Sequence, residues 1–115
     1  MTLTSVDLDN GIRQITLEGR LDIAGSGEID LKFSAFAAGD KSKVLVDLSK
    51  VDFISSIGIR TLLSAARGRK NKGGTLVLCA AQPLVAQVIE TAGLGALIPS
   101  APDVASGIDL LNASA

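Results

Sequence analysis

VLVDLSKVDFISSIGIRTLL, residues Val44 to Leu63, decides how this chain folds. It opens on Val44-Leu45-Val46, a short continuous apolar run of the kind that suits a central strand covered on at least one face. It closes on a helical pattern. Ile59, Leu62, Leu63 and Ala66 recur at the spacing of one helix face, while Arg60, Ser64, Arg67 and Asn71 form the opposite, wet face. A short acidic and apolar link through Asp52 and Phe53 joins the two. Ser55-Ser56 stands at the mouth of the helix, where backbone N–H groups lack partners and carry partial positive charge, so one of the two serines is expected to cap it. The same place accepts a phosphate well, because a phosphoserine brings roughly two negative charges and three acceptor oxygens to those N–H groups. Gly58 keeps the first helical turn slim, which would let a partner's backbone or a nucleotide come close to the serines.

Working outward, Leu76-Val77-Leu78 repeats the central-strand pattern. Asp9-Asn10-Gly11 is a strong hairpin signal, joining a first strand near Leu3 to Leu8 with a second near Ile12 to Glu18. In the second, Ile15 and Leu17 alternate with Gln14, Thr16 and Glu18, as expected of a strand with one buried face. Ile29, Phe33, Phe36 and Ala37 mark a helix for which Ser26 is a plausible cap, with Glu28 and Asp30 in its first turn. Pro83 fits the first turn of another helix, with Leu84, Val85, Val88, Ile89 and Ala92 as its apolar face and Gly93-Leu94 as a Schellman stop. A fourth, near Asp103 to Leu111, is expected to bury Val104, Ile108 and Leu111. A hairpin followed by alternating helices and strands predicts an α/β fold: a mixed sheet of four to five strands with about four helices packed mainly on one side.

Composition narrows the function. A chain of 115 residues, 47% apolar and 20% charged, is the size of one ordinary domain with a real core, expected to span residues 1–115. Eleven Lys and Arg against twelve Asp and Glu leave a net charge of −1, and the three Phe residues are the only aromatics. Neither a global attraction to nucleic acid or anionic lipid nor a set of stacking surfaces is present. With no His and with Cys79 as the one cysteine, His-dependent triads, His or Cys zinc cages and an internal disulfide are excluded. The longest uncharged stretch, Gly73 to Ile89, contains Gln82, Pro83 and Gln87 and reads as a strand followed by a helix, not a membrane span. Met1 to Asn10 has no basic or long apolar region of a secretory signal, so a cytoplasmic protein is expected. No P-loop-type glycine-rich segment is present.

The run DFISSIGIRTLL, residues 52–63, resembles the signature of the STAS domain, the module of anti-sigma factor antagonists. Gly19-Arg20-Leu21-Asp22 is similar to that family's Gly-x-Leu-Asp turn after the second strand. Val46-Asp47-Leu48-Ser49-Lys50-Val51 resembles its third strand and exit, and Ala92-Gly93-Leu94 its third-helix ending. The resemblance implies a STAS-type fold and a non-enzymatic switch. Such a protein binds an anti-sigma factor that is also a serine kinase, and is released when a serine at a helix start is phosphorylated. A serine phosphatase restores the binding form. Carried over by position, the modified serine is Ser56, with Ser55 as the alternative because Ser55 occupies the place of the family's Asp. Ile57 likewise stands where a small residue is common. The partner-binding set implied is Asp22, Asp52, Phe53, Ser55, Ser56, Ile57, Gly58 and Arg60. No cofactor or metal, no nucleic acid, no membrane insertion and a monomer or weak dimer are expected. The same resemblance leaves a second reading, a STAS subunit of a stressosome or of a transporter-associated complex whose serine is not modified.

Other features have plainer readings. Arg67, Arg69, Lys70 and Lys72 read as solvated residues at a helix C-terminus, where cations are favourable. Asp22, Asp47 and Asp52 read as turn and cap residues in preference to a metal or acid–base set. A hydrolase using Ser56 with Lys50 as base would need strong desolvation of a surface lysine. Cys79, inside an apolar strand, reads as a buried, inert packing residue.

Overall fold

The structure, a computed structural model, describes residues 1–39 and 41–113. Among these residues five strands form one sheet in the order β1 (Thr2–Asp7), β2 (Ile12–Leu21), β3 (Lys43–Ile54), β4 (Thr75–Cys79) and β5 (Ser100–Ala101). The first pair is antiparallel and the rest are parallel, so the sheet is mixed as expected. The hairpin turns at Asp9–Gly11, where Asn10 and Gly11 both hold positive φ, 65° and 74°, a conformation that Asn and Gly tolerate best. Among the described residues four helices complete the fold: α1 (Ile23–Ala37), α2 (Ser56–Asn71), α3 (Pro83–Thr91) and α4 (Val104–Ala113). Among the described residues no helix is long and apolar enough to cross a membrane.

Three of these helices are crossovers between successive parallel strands, each advancing one strand in the same direction across the sheet. Right-handed crossovers then put α1, α2 and α3 on a single face. That face carries the main core, where Ile15, Leu17 and Leu21 of β2, Val44, Val46 and Leu48 of β3 and Leu76 and Leu78 of β4 meet Ile29, Phe33, Leu62, Val85 and Ile89 of the helices. After the last strand no crossover remains. α4 packs on the opposite face, where Leu111 joins Ile12, Leu45, Val77 and Cys79. Gly107 brings α4 close to the sheet, since a Cβ there would stand 2.6 Å from Leu45 Cδ1.

Several expectations need correction. The Asp52-Phe53 link is the continuation of β3, which runs to Ile54 and pairs with β2 through two register shifts. Those irregularities break the alternation that marks a strand in sequence. Ser26 is not the cap of α1. The helix starts earlier because Asp22 accepts from the Gly25 N–H at 2.8 Å, and Ser26 is buried in its second turn. Leu84 points to solvent, leaving Val85 and Ile89 as the buried residues of α3, which ends at Gly93 with φ 73° as foreseen. Arg69 is not solvated. It is buried, and its Nη1 donates to the carbonyls of Ala37 at 3.2 Å, Gly39 at 2.8 Å and Lys41 at 2.6 Å. Cys79 is buried as expected, and burial, with Asp47 and Asp103 nearby, pushes its thiol up to about 12.

Candidate functional site

Because β2 and β3 run parallel, both finish at the same edge of the sheet, and a helix begins immediately after each. The starts of α1 and α2 therefore lie side by side. Leu21, the last residue of β2, ties them together: its carbonyl accepts from the Ser55 N–H at 3.0 Å and from Ser55 Oγ at 3.1 Å. Ser55 Oγ in turn accepts from the Gly58 N–H at 3.4 Å, so Ser55 is the cap of α2 and its hydroxyl is engaged twice. Ser56 is the first helical residue. It is exposed, and no side chain or backbone group among the described residues hydrogen-bonds its hydroxyl.

Gly58 has a reason other than access for a partner. It is buried, and a Cβ there would lie 2.5 Å from the Leu21 carbonyl oxygen, 2.8 Å from Leu21 Cγ and 3.0 Å from Ile54 Cγ1. The absent side chain lets α2 start tight against the ends of β2 and β3. Asp22 caps α1, and the Gly25 N–H, followed by the Arg20 guanidinium, holds its carboxyl below the usual 3.8. Asp47 has the turn role expected of it, accepting from the Ser49 N–H at 2.9 Å.

The structure thus brings Asp22, Ser55, Ser56, Ile57, Gly58 and Arg60 around the paired helix starts. Ile57 and Arg60 also line a shallow groove of about 390 Å³ between α1 and α2 with Ile23, Asp30 and Leu31. Phe53 sits at the end of β3 opposite Arg20, whose guanidinium lies 4.2 Å from its ring centroid. Asp52 is an exposed strand residue whose side chain makes no hydrogen bond or ion pair among the described residues. Two residues of the site escaped the sequence reading. Arg20 is legible from the period-two alternation of β2, which turns it away from buried Leu21. Ile23, the first residue of α1, is 79% exposed, and no periodic signal in the sequence marks it.

A family profile described as "Mlab, STAS domain" matches residues 5–99. "Putative anti-sigma factor antagonist BtrV" of Bordetella bronchiseptica is 32% identical over 101 residues, which cover 88% of this chain and 86% of that protein. An anti-sigma factor antagonist from Mycobacterium paratuberculosis superposes with a TM-score of 0.83 at 20% identity, over 96% of this chain and 95% of the other. The anti-sigma factor antagonist SpoIIAA is similar in its unphosphorylated form, with a TM-score of 0.77 at 22% identity over 97% of each chain. In its phosphorylated form, described as a Bacillus cell fate determinant, it gives a TM-score of 0.68 at 23% identity over 94% of this chain and 97% of the other. The structural likenesses speak for the fold, and the profile and BtrV for the family. The chain belongs to the STAS-domain family.

Proposed function

We propose that this protein is an anti-sigma factor antagonist whose grip on its partner is switched at Ser56. Unmodified, it binds an anti-sigma factor that is also a serine kinase, through the paired helix starts and the residues Asp22, Phe53, Ile57 and Arg60 around them, and so frees a sigma factor. The observation that carries the reading is the division of labour between the serines: Ser55 is spent on the cap while Ser56 Oγ stands exposed and unbonded one residue on. The family and BtrV support the class of partner.

Transfer of the ATP γ-phosphoryl group to Ser56 Oγ releases ADP and the hydroxyl proton and leaves about two negative charges in the contact. Burying that hydrated group against the partner costs desolvation, and repulsion if the facing surface is acidic. A penalty of only ~3 kcal/mol weakens affinity on the order of a hundredfold. A phosphatase reverses the change. The protein is the substrate in both steps and performs no catalysis. The need for ATP makes the cytoplasm the place of action.

The test is incubation with ATP and each anti-sigma factor serine kinase encoded in the same genome, followed by mapping of phosphate by mass spectrometry and by binding measurements. One phosphate on Ser56, absent in Ser56→Ala, with Ser56→Asp failing to bind the same kinase, is the expected result. Incorporation at Ser55 or elsewhere overturns the choice of Ser56. Phosphate from no kinase, or a Ser56→Asp variant that binds as tightly as wild type, overturns the switch.

A further inference from the structure

Arg20 is held in place yet has most of its hydrogen-bonding capacity unused. Its guanidinium is stacked 4.2 Å from the centroid of Phe53, its partner in the β2–β3 register. Nε makes a long contact of 3.4 Å to Asp22 Oδ2, while the other oxygen of that carboxylate is committed to the α1 cap at 2.8 Å. Nη1 and Nη2 have no hydrogen-bond partner among the described residues, and the side chain is 59% exposed.

A stacked guanidinium has already lost much of its rotamer freedom, so a ligand that meets it incurs less ordering cost. Its free edge offers the fork that a carboxylate engages with two parallel bonds. Arginine and aromatic side chains of this kind are enriched among the residues that dominate interfaces. The position suits the site, because Leu21, the very next residue, holds the Ser55 cap through its carbonyl. Asp22 lies beside Arg20 and the net charge is −1, so the free edge suits a single carboxylate better than a polyanion.

We infer that Arg20, oriented by Phe53, is a specificity-determining residue that pairs with a carboxylate of the anti-sigma partner. The inference rests on the proposed function and deepens it by naming the chemistry of one partner group that the site holds.

The test uses the kinase that phosphorylates Ser56, with binding measured by calorimetry in the absence of ATP for wild type, Arg20→Ala, Arg20→Lys, Arg20→Glu and Phe53→Leu. Arg20→Ala is expected to weaken binding about thirtyfold and Arg20→Glu at least about three hundredfold, as for close charge pairs at interfaces. Arg20→Lys restores only part of the loss, because an ammonium lacks the fork, and Phe53→Leu loses several-fold. Thermal stabilities stay near that of wild type, since Arg20 is exposed. Reversing one acidic residue of the kinase to Arg should recover binding to Arg20→Glu by about tenfold or more, a readout that a merely structural role would not move. Wild-type affinity in Arg20→Ala and Arg20→Glu, with Ser56 still phosphorylated, overturns the inference and leaves the proposed function standing. A loss that reversal of no acidic residue on the kinase recovers overturns the carboxylate pairing. Phosphorylation of Ser56 by no kinase overturns both.

Discussion

Two adjacent serines have opposite roles at the start of α2. Ser55 donates to the Leu21 carbonyl and accepts from Gly58, whereas the Ser56 hydroxyl meets only solvent. Ser55→Ala should therefore cost about 1–2 kcal/mol in urea denaturation, the usual loss for a cap, while Ser56→Ala should change stability by less than about 0.5 kcal/mol. Equal effects would mean that the cap is misassigned. Gly58 and Gly68 make a second contrast within the same helix. Alanine is the better helix former by up to about 1 kcal/mol, and at Gly68 a Cβ meets nothing within 4 Å, so Gly68→Ala should stabilise. At Gly58 the new Cβ would stand 2.5 Å from the Leu21 carbonyl oxygen. That oxygen is held by two hydrogen bonds from Ser55 and has little room to retreat. Overpacking of this kind costs about 1–3 kcal/mol and outweighs the helix gain, so Gly58→Ala should lower the urea midpoint.

Between elements, the decisive contact is the buried Arg69. From α2 it reaches the carbonyls of Ala37, Gly39 and Lys41, which lie at the end of α1 and on the approach to β3. Arg69→Met would leave those acceptors without their charged donor, at about 1–3 kcal/mol for each one that water cannot reach, so a loss of at least about 3 kcal/mol is expected in equilibrium unfolding. Lys70→Ala, one residue on and exposed, is the control and should be close to neutral. Arg69 also marks the limit of what sequence discloses. A basic residue in a last helical turn satisfies the helix dipole whether it is wet or buried, and only the tertiary fold brings the end of α1 to it. The hairpin, the two central strands and the inner faces of α1, α2 and α4 were legible because turn chemistry and side-chain period are local, whereas in α3 only Val85 and Ile89 of the expected face are buried. The start of α1 was not, since both Asp22 and Ser26 make good caps and the choice depends on where β2 ends. The end of β3 was obscured by its own register shifts. At the site, the run from Ser55 to Arg60 was legible as a helix start. The separate roles of the serines, and the Arg20–Phe53 stack, depend on a neighbouring strand.

For the molecule as a whole, the switch is expected to act without a change of fold. Its sheet is covered on one face by three helices and on the other by α4, and neither core includes Ser56. A phosphate at the first helical position of α2 faces solvent and lies near the positive end of the helix, an arrangement that stabilises by about 0.3–1 kcal/mol. Two effects of different size and sign then follow from one modification. Within the free protein the phosphate is mildly favourable, so the phosphorylated form should melt at the same temperature as the unmodified one or up to a few degrees higher. In the complex the same phosphate is desolvated, and affinity should fall on the order of a hundredfold. Hydrogen exchange separates this local mechanism from a global one. Amides of Val44–Leu48 and Leu76–Cys79 should keep their protection on phosphorylation, and changes should be confined to the start of α2, from Ser55 to Ile59, and to Leu21–Ile23 across from it. If protection in β3 and β4 fell together with the melting temperature, release of the partner would come from loosening of the sheet and not from charge placed in the contact.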